Sequence, residues 1–225
     1  MQGSPESWNE DDPTEYTNFS EHINKLDKFI SFKINLGGNI YLPLDFKLTP
    51  HIAYQYEFIR FTATGGYGEY KNDLKELDKQ VFTGNVISYE QEANTVFLGL
   101  NVISEIIPKT TIKINFDISP MLTFLNATDY HYINLGDSGT AYQDRFKNIT
   151  QIDTSMTAQF RFTKNHRAGI FGRIQYIPLS KGNTYSKSID KKGNFTSDTW
   201  VPENDGNGGT ERYIWSLGLN YSFSL

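Results

Sequence analysis

The chain has 225 residues, no cysteine, 15% aromatic residues and a formal charge of −5 from 21 basic and 26 acidic side chains. Without cysteine there is no disulfide framework, thiolate metal site or cysteine nucleophile, and the mild acidity argues against a nucleic-acid partner. Charges are interspersed, no apolar run approaches the ~18 residues of a membrane-spanning helix, and Met1–Ser7 has no basic region leading into an apolar stretch, so the averages alone describe a soluble single domain.

The order of residues says otherwise. Ile30, Phe32, Ile34 and Leu36 alternate with Ser31, Lys33 and Asn35. After a short connection near Pro43, one parity carries Leu44, Phe46, Leu48, Ile52, Tyr54, Tyr56 and Phe58. A long connection follows over Gly66–Gly84, within which Lys71–Gln80 reads as a short amphipathic helix. Val96, Leu98, Leu100 and Val102 hold the next segment, and a short connection at Ile107–Lys109 leads to Ile112, Ile114, Phe116 and Ile118, separated by Lys113, Asn115 and Asp117. A long connection over Asn126–Ala141 precedes Ala158, Phe160 and Phe162, and a short one at Lys164–Arg167 precedes Ile170, Ile174 and Tyr176. A long connection over Lys181–Thr210 then reaches Tyr213, Trp215, Leu217, Leu219, Tyr221, Phe223 and Leu225, which fill every odd position.

Alternate side chains of a strand point to opposite faces, so each segment has one apolar and one polar face. A soluble β-sandwich shares that property, but strictly alternating short and long connections are those of an outer-membrane barrel. The expectation is an all-β fold, a single antiparallel transmembrane β-barrel domain over residues 1–225, with the polar face lining the lumen and the apolar face meeting lipid. Residues 1–27 fall on the long-connection side as an external segment, with strands and loops from 28 onward. Seven strands are legible, whereas bacterial barrels have an even number, so the expectation includes further N-terminal strands outside this sequence.

Carrying the parity of Ile112–Phe124 upward without a slip puts Asp129 and His131 on the lumen side, at the barrel mouth. A carboxylate beside an imidazole can fix its tautomer and stabilise the imidazolium formed when the ring acts as a base. Other groupings carry less. Trp8-Asn9-Glu10-Asp11-Asp12 is an acidic stretch with calcium binding as a minor reading, and Asn204–Gly209 lacks the ligand spacing and closing glutamate of a calcium loop. Gly65-Gly66-Tyr67-Gly68 opens no βαβ unit that would cradle phosphate. His51 and His166 lie near turns with no partner close in sequence.

Four stretches, in order, resemble the omptins, ten-stranded outer-membrane aspartyl endopeptidases of Gram-negative bacteria. They are Thr17-Asn18-Phe19-Ser20-Glu21-His22, Tyr54-Gln55 with Phe61-Thr62-Ala63-Thr64-Gly65-Gly66, Asp129-Tyr130-His131-Tyr132, and Lys181-Gly182-Asn183-Thr184. The resemblance covers almost the whole chain and aligns it to the family's last seven strands. It implies an outer-membrane hydrolase with its active-site loops outside, a peptide or protein substrate, contact with lipopolysaccharide, no other cofactor or metal, and a monomer. By resemblance Asp129 orients His131, which activates a water facing a second pair of aspartates. Where the family carries that pair as Asp-x-Asp-Trp, this sequence reads Pro5-Glu6-Ser7-Trp8, with Glu6, Glu10, Asp11 and Asp12 nearby. Where the family has a substrate-binding acid two residues before the catalytic aspartate, it has Ala127. A catalytically inactive barrel serving as adhesin or structural surface protein, and a soluble β-sandwich binding protein, stay open as alternatives.

Overall fold

The computed structural model describes residues 5–8, 16–43, 45–71, 77–105, 107–132, 138–190 and 192–223. They form β1 (Pro5–Trp8), β2 (Tyr16–Gly37), β3 (Ile40–Leu42), β4 (Phe46–Lys71), β5 (Leu77–Val81), β6 (Asn85–Ser104), β7 (Thr110–His131), β8 (Ser138–Arg161), β9 (His166–Asp190) and β10 (Val201–Phe223). One antiparallel sheet orders them β1-β2-β4-β6-β7-β8-β9-β10, with β3 and β5 pairing with β4 off this path.

The expected seven strands are corrected to ten. The seven alternating segments are the long strands β2, β4, β6, β7, β8, β9 and β10. The three unread ones, β1, β3 and β5, have 4, 3 and 5 residues, too few for a period of two to register. The helix expected over Lys71–Gln80 is also corrected. Lys71 ends β4, residues 72–76 lie outside the described residues, and Leu77–Gln80 belong to β5, whose ladder with Tyr67–Lys71 satisfies the backbone that a helix would have satisfied internally.

Much of each long connection is strand. β4 runs on to Lys71, β7 to His131 and β9 to Asp190, while β8 and β10 begin at Ser138 and Val201. The 22 residues of β7 are about twice the ~9–11 that a tilted strand needs to cross a bilayer. Above the lipid-facing band the outer face meets water, so the apolar alternation stops while the hydrogen-bond ladder continues.

The band itself is plain on β10, where Trp215, Leu217 and Leu219 are 69%, 75% and 84% exposed on one face. Ile34 and Leu36 of β2, Leu98 and Leu100 of β6, Ile114 and Phe116 of β7, and Ile170 and Ile174 of β9 extend it around the sheet. Aromatic hydroxyls mark its margins. Tyr54 donates to Asn94 (2.6 Å) and Tyr176 to Glu211 (3.4 Å) toward the long hairpins, and Tyr221 meets His166 Nδ1 (2.5 Å) at the tight-turn rim. His166, without a neighbour in sequence, is thus paired in space.

The opposite face is polar and buried. Lys33 bridges Asp117 and Asp153 (3.0 Å to the latter), Arg173 grips Asp153 through two 2.8 Å hydrogen bonds, and His51 Nε2 lies 2.8 Å from Asp117 Oδ1. Higher up, Arg212 of β10 reaches Glu57 of β4. These pairs span the interior between strands far apart in the sheet order, which shows that the sheet curls around a lumen. Among the described residues it does not close, because its edge strands β1 and β10 are not hydrogen-bonded to one another.

Parity on β7 is interrupted once, at Met121, without being lost. Pro120, Met121 and Leu122 are all exposed, Met121 has φ 60°, and the ladder to β8 is interrupted between Ser119 and Thr123. Two odd positions bracket the irregularity, so the odd set returns to the lumen with buried Thr123, Leu125 and Ala127.

Candidate functional site

Above an apolar layer of Ala93, Leu125, Ala127, Phe146, Ile149 and Ile177, against which Tyr89 packs, lies the upper lumen. Its wall follows from the register. Tyr89 of β6 pairs with Asp129 of β7, which pairs with Tyr142 of β8. One step lower, Gln91 pairs with Ala127, Ala127 with Asp144, and Asp144 with Thr184 of β9. Directly opposed residues of an antiparallel ladder share a face, with Cβ atoms ~4.5–5.5 Å apart, so this set converges on the lumen. His131 lies one step above Asp129 on the same face, its ring edge-on to Tyr142 at 5.5 Å and 89°.

Asp129 and Tyr89 stand above Phe124, the last exposed apolar residue of β7, and so outside the lipid-facing band. Burial, assisted by the negative charge of Asp144, pushes the Asp129 carboxyl up to about 6. Burial together with Asp129 and Asp144 pushes the Tyr89 hydroxyl up to about 12. The first change places a carboxyl near neutrality, where it can exchange charge with an imidazole. The second keeps the phenol protonated and hence a hydrogen-bond donor.

Asp144 is held firmly. Its Oδ1 accepts from Thr184 Oγ1 at 2.6 Å, and β10 passes so close that a Cβ on Gly208 would lie 2.2 Å from the Asp144 Cγ. Gly182 makes the same concession to Phe146, whose ring atom would be 2.6 Å from a Cβ there. The Lys181–Thr184 stretch therefore shapes one wall through Gly182 and Thr184. Two other singled-out stretches meet each other. His22 Nδ1 contacts the Gly65 carbonyl oxygen at 2.7 Å, with its ring 5.4 Å from Phe82. Gly65 and Gly66 take φ of 57° and 93°, and a Cβ on Gly66 would lie 1.8 Å from the Glu21 carbonyl oxygen.

The structure thus brings Asp129 and His131 together on the lumen face. Pro5–Trp8 lies along the far edge of the sheet, Ser7 paired with Asn18 and Trp8 with Tyr16. Residues 9–12, and the side chains of residues 204–207, fall outside the description. His51 is committed to Asp117 deep in the lumen. No group of three or more His, Asp or Glu side chains suited to a metal ion occurs among the described residues. Sequence reasoning missed Tyr89, Gln91 and Asp144. Tyr89 and Gln91 do keep one parity, but only the pairing of β6 and β8 with β7 places them beside Asp129.

The Omptin family profile matches residues 3–223. The chain belongs to the omptin family. Among solved structures, this omptin is similar to the crystal structure of the outer membrane protease OmpT from Escherichia coli, with a TM-score of 0.75 and 22% identity over 95% of this chain and 70% of that one. The shared fold is that of an outer-membrane barrel. No curated protein sequence matches the chain.

Proposed function

We propose that this omptin is an outer-membrane endopeptidase that hydrolyses peptide bonds with a water activated by His131 and Asp129. The observation that carries the reading is their shared placement, with Tyr89 and Asp144, on one wall of the upper lumen. His131 takes a proton from the water as its oxygen attacks the peptide carbonyl, and Asp129 stabilises the resulting imidazolium. Collapse of the tetrahedral intermediate breaks the C–N bond, and the imidazolium returns its proton to the leaving amine. No covalent intermediate forms.

On this reading the long-hairpin rim faces the exterior, the exposed apolar band sits in the outer membrane in contact with lipopolysaccharide, and the protein works as a monomer. Ala127 stands where the family has an acid, yet Asp144 offers a carboxylate directly across the ladder, so recognition of a basic substrate side chain is retained.

The test is to refold the protein with lipopolysaccharide and incubate it with a peptide library. Cleavage that His131→Ala abolishes supports the proposal. A second reading, a catalytically inactive barrel acting as adhesin or structural surface protein, is favoured by Pro5 and Ser7 standing at the family's second aspartate pair. Absence of cleavage by folded, lipopolysaccharide-bound protein would decide for it.

A further inference from the structure

A chain of three residues ends at the candidate site. Arg212 Nη1 donates to Gln91 Oε1 at 3.1 Å, and Gln91 Nε2 donates to the Tyr89 hydroxyl oxygen at 3.2 Å. A guanidinium can only donate, so the amide must turn its oxygen to Arg212 and its NH₂ to Tyr89. Both bonds therefore run in one direction, from a buried cation toward the phenol. The phenol oxygen acts as acceptor, and no described residue accepts its hydrogen. Hydrogen bonds polarised in series strengthen the terminal donor, and Arg212 is itself anchored on Glu57. Tyr89 is only partly buried, and by ladder register Asp129 lies beside it and Asp144 one step lower on the same lumen wall.

We propose that Tyr89 is a catalytic residue, donating its hydroxyl hydrogen bond to the carbonyl oxygen of the scissile peptide. The inference rests on the endopeptidase reading and adds to it the electrophilic half of the site. As the water oxygen bonds to the carbonyl carbon, the C=O electron pair moves onto oxygen. The Tyr89 O–H meets that developing charge, while the water's proton goes to His131. When the intermediate collapses, the pair returns, the C–N bond breaks and the amine leaves with the His131 proton. Tyr89 keeps its own proton throughout, consistent with a hydroxyl held near 12. A neutral donor suits this place better than a cation, which the two nearby carboxylates would neutralise before any substrate arrived.

The experiment compares the full chain with Tyr89→Phe and Gln91→Glu, each refolded with lipopolysaccharide, on a quenched fluorescent peptide that the unsubstituted protein cleaves. Tyr89→Phe keeps the ring and loses the donor. The expected result is a fall in kcat on the order of 10²–10³-fold, the usual effect of removing one such donor, with KM within about twofold and heat-modifiable gel mobility unchanged. Gln91→Glu keeps an acceptor for Arg212 but turns a second acceptor toward Tyr89, which then spends its hydrogen on Glu and not on substrate. Its kcat is expected to fall nearly as far, and it serves as the deciding variant if Tyr89→Phe fails to fold. Full kcat in either folded variant overturns the assignment while leaving the endopeptidase reading intact. An inactive parent protein overturns both.

Discussion

Asp144 lies directly across the β7–β8 ladder from Ala127, and both face the lumen. A carboxylate is therefore present at this height of the wall, one strand away from where the family carries one. A hydrogen bond to a charged group contributes ~1.5–3 kcal/mol, so Asp144→Ala should lower kcat/KM for peptides with Arg or Lys at the cleavage site by about 10–100-fold. Peptides with a neutral residue there should be affected much less. Adding Ala127→Asp should restore the preference. Paired kinetics on basic and neutral peptides check this, and equal losses on both would count against a binding role for Asp144.

The titration of Asp129 sets a second expectation. Its carboxyl is raised to about 6 first by burial and then by Asp144. If the carboxylate form is needed, activity falls as pH drops through about 6. Asp144→Asn removes the second cause and leaves the first, so the acidic limb of the pH–kcat/KM profile should move to lower pH without reaching 3.8. A limb that stays in place would show that another group governs it.

The same titration acts on stability. A carboxyl held at about 6 when folded and near 3.8 when unfolded favours folding most below 3.8, and that advantage is lost as pH rises through 6. By pH 8 the difference approaches about 3 kcal/mol. Asp129→Asn should therefore raise the thermal midpoint in detergent at pH 8 and give no gain at pH 4. Such a gain, obtained alongside lost activity, would mark Asp129 as a residue kept for function at a cost in stability.

What the sequence revealed and what it hid divide along the membrane boundary. Within the lipid-facing band, solvent on one side and polar lumen on the other impose a period of two, so Ile112–Ile118 and Tyr213–Phe223 could be placed by inspection. Above the band that constraint lapses, and β4, β7, β8, β9 and β10 continue through stretches that read as loops. Asp129 and His131 were accessible because they share one strand and one parity. Tyr89, Gln91 and Asp144 were not, since ladder register joins them to the site across separations that no local pattern encodes. His51 and Asp117 illustrate the same limit, 66 positions apart by their numbering and 2.8 Å apart in space.

Lys33 offers the sharpest stability test. Its ammonium lies between Asp117 and Asp153, carboxylates with side-chain exposures of 1% and 3%, and Arg173 answers only the second of them. His51 beside Asp117 carries charge only when protonated. Lys33→Met keeps the length of the stem and leaves Asp117 without its permanent cation, and breaking a buried pair this way costs about 3–5 kcal/mol. Asp117→Asn in the same background should recover much of the loss, because the uncompensated charge is then gone. Lys33 also ties β2, which borders the short edge strand β1, to β7 and β8 across the lumen, so the loss should appear first as faster amide exchange in β2. Heat or urea unfolding in detergent, read alongside hydrogen exchange, would check both points. Unfolding of Lys33→Met at the parent midpoint, with β2 still protected, would show that the network does not hold this edge.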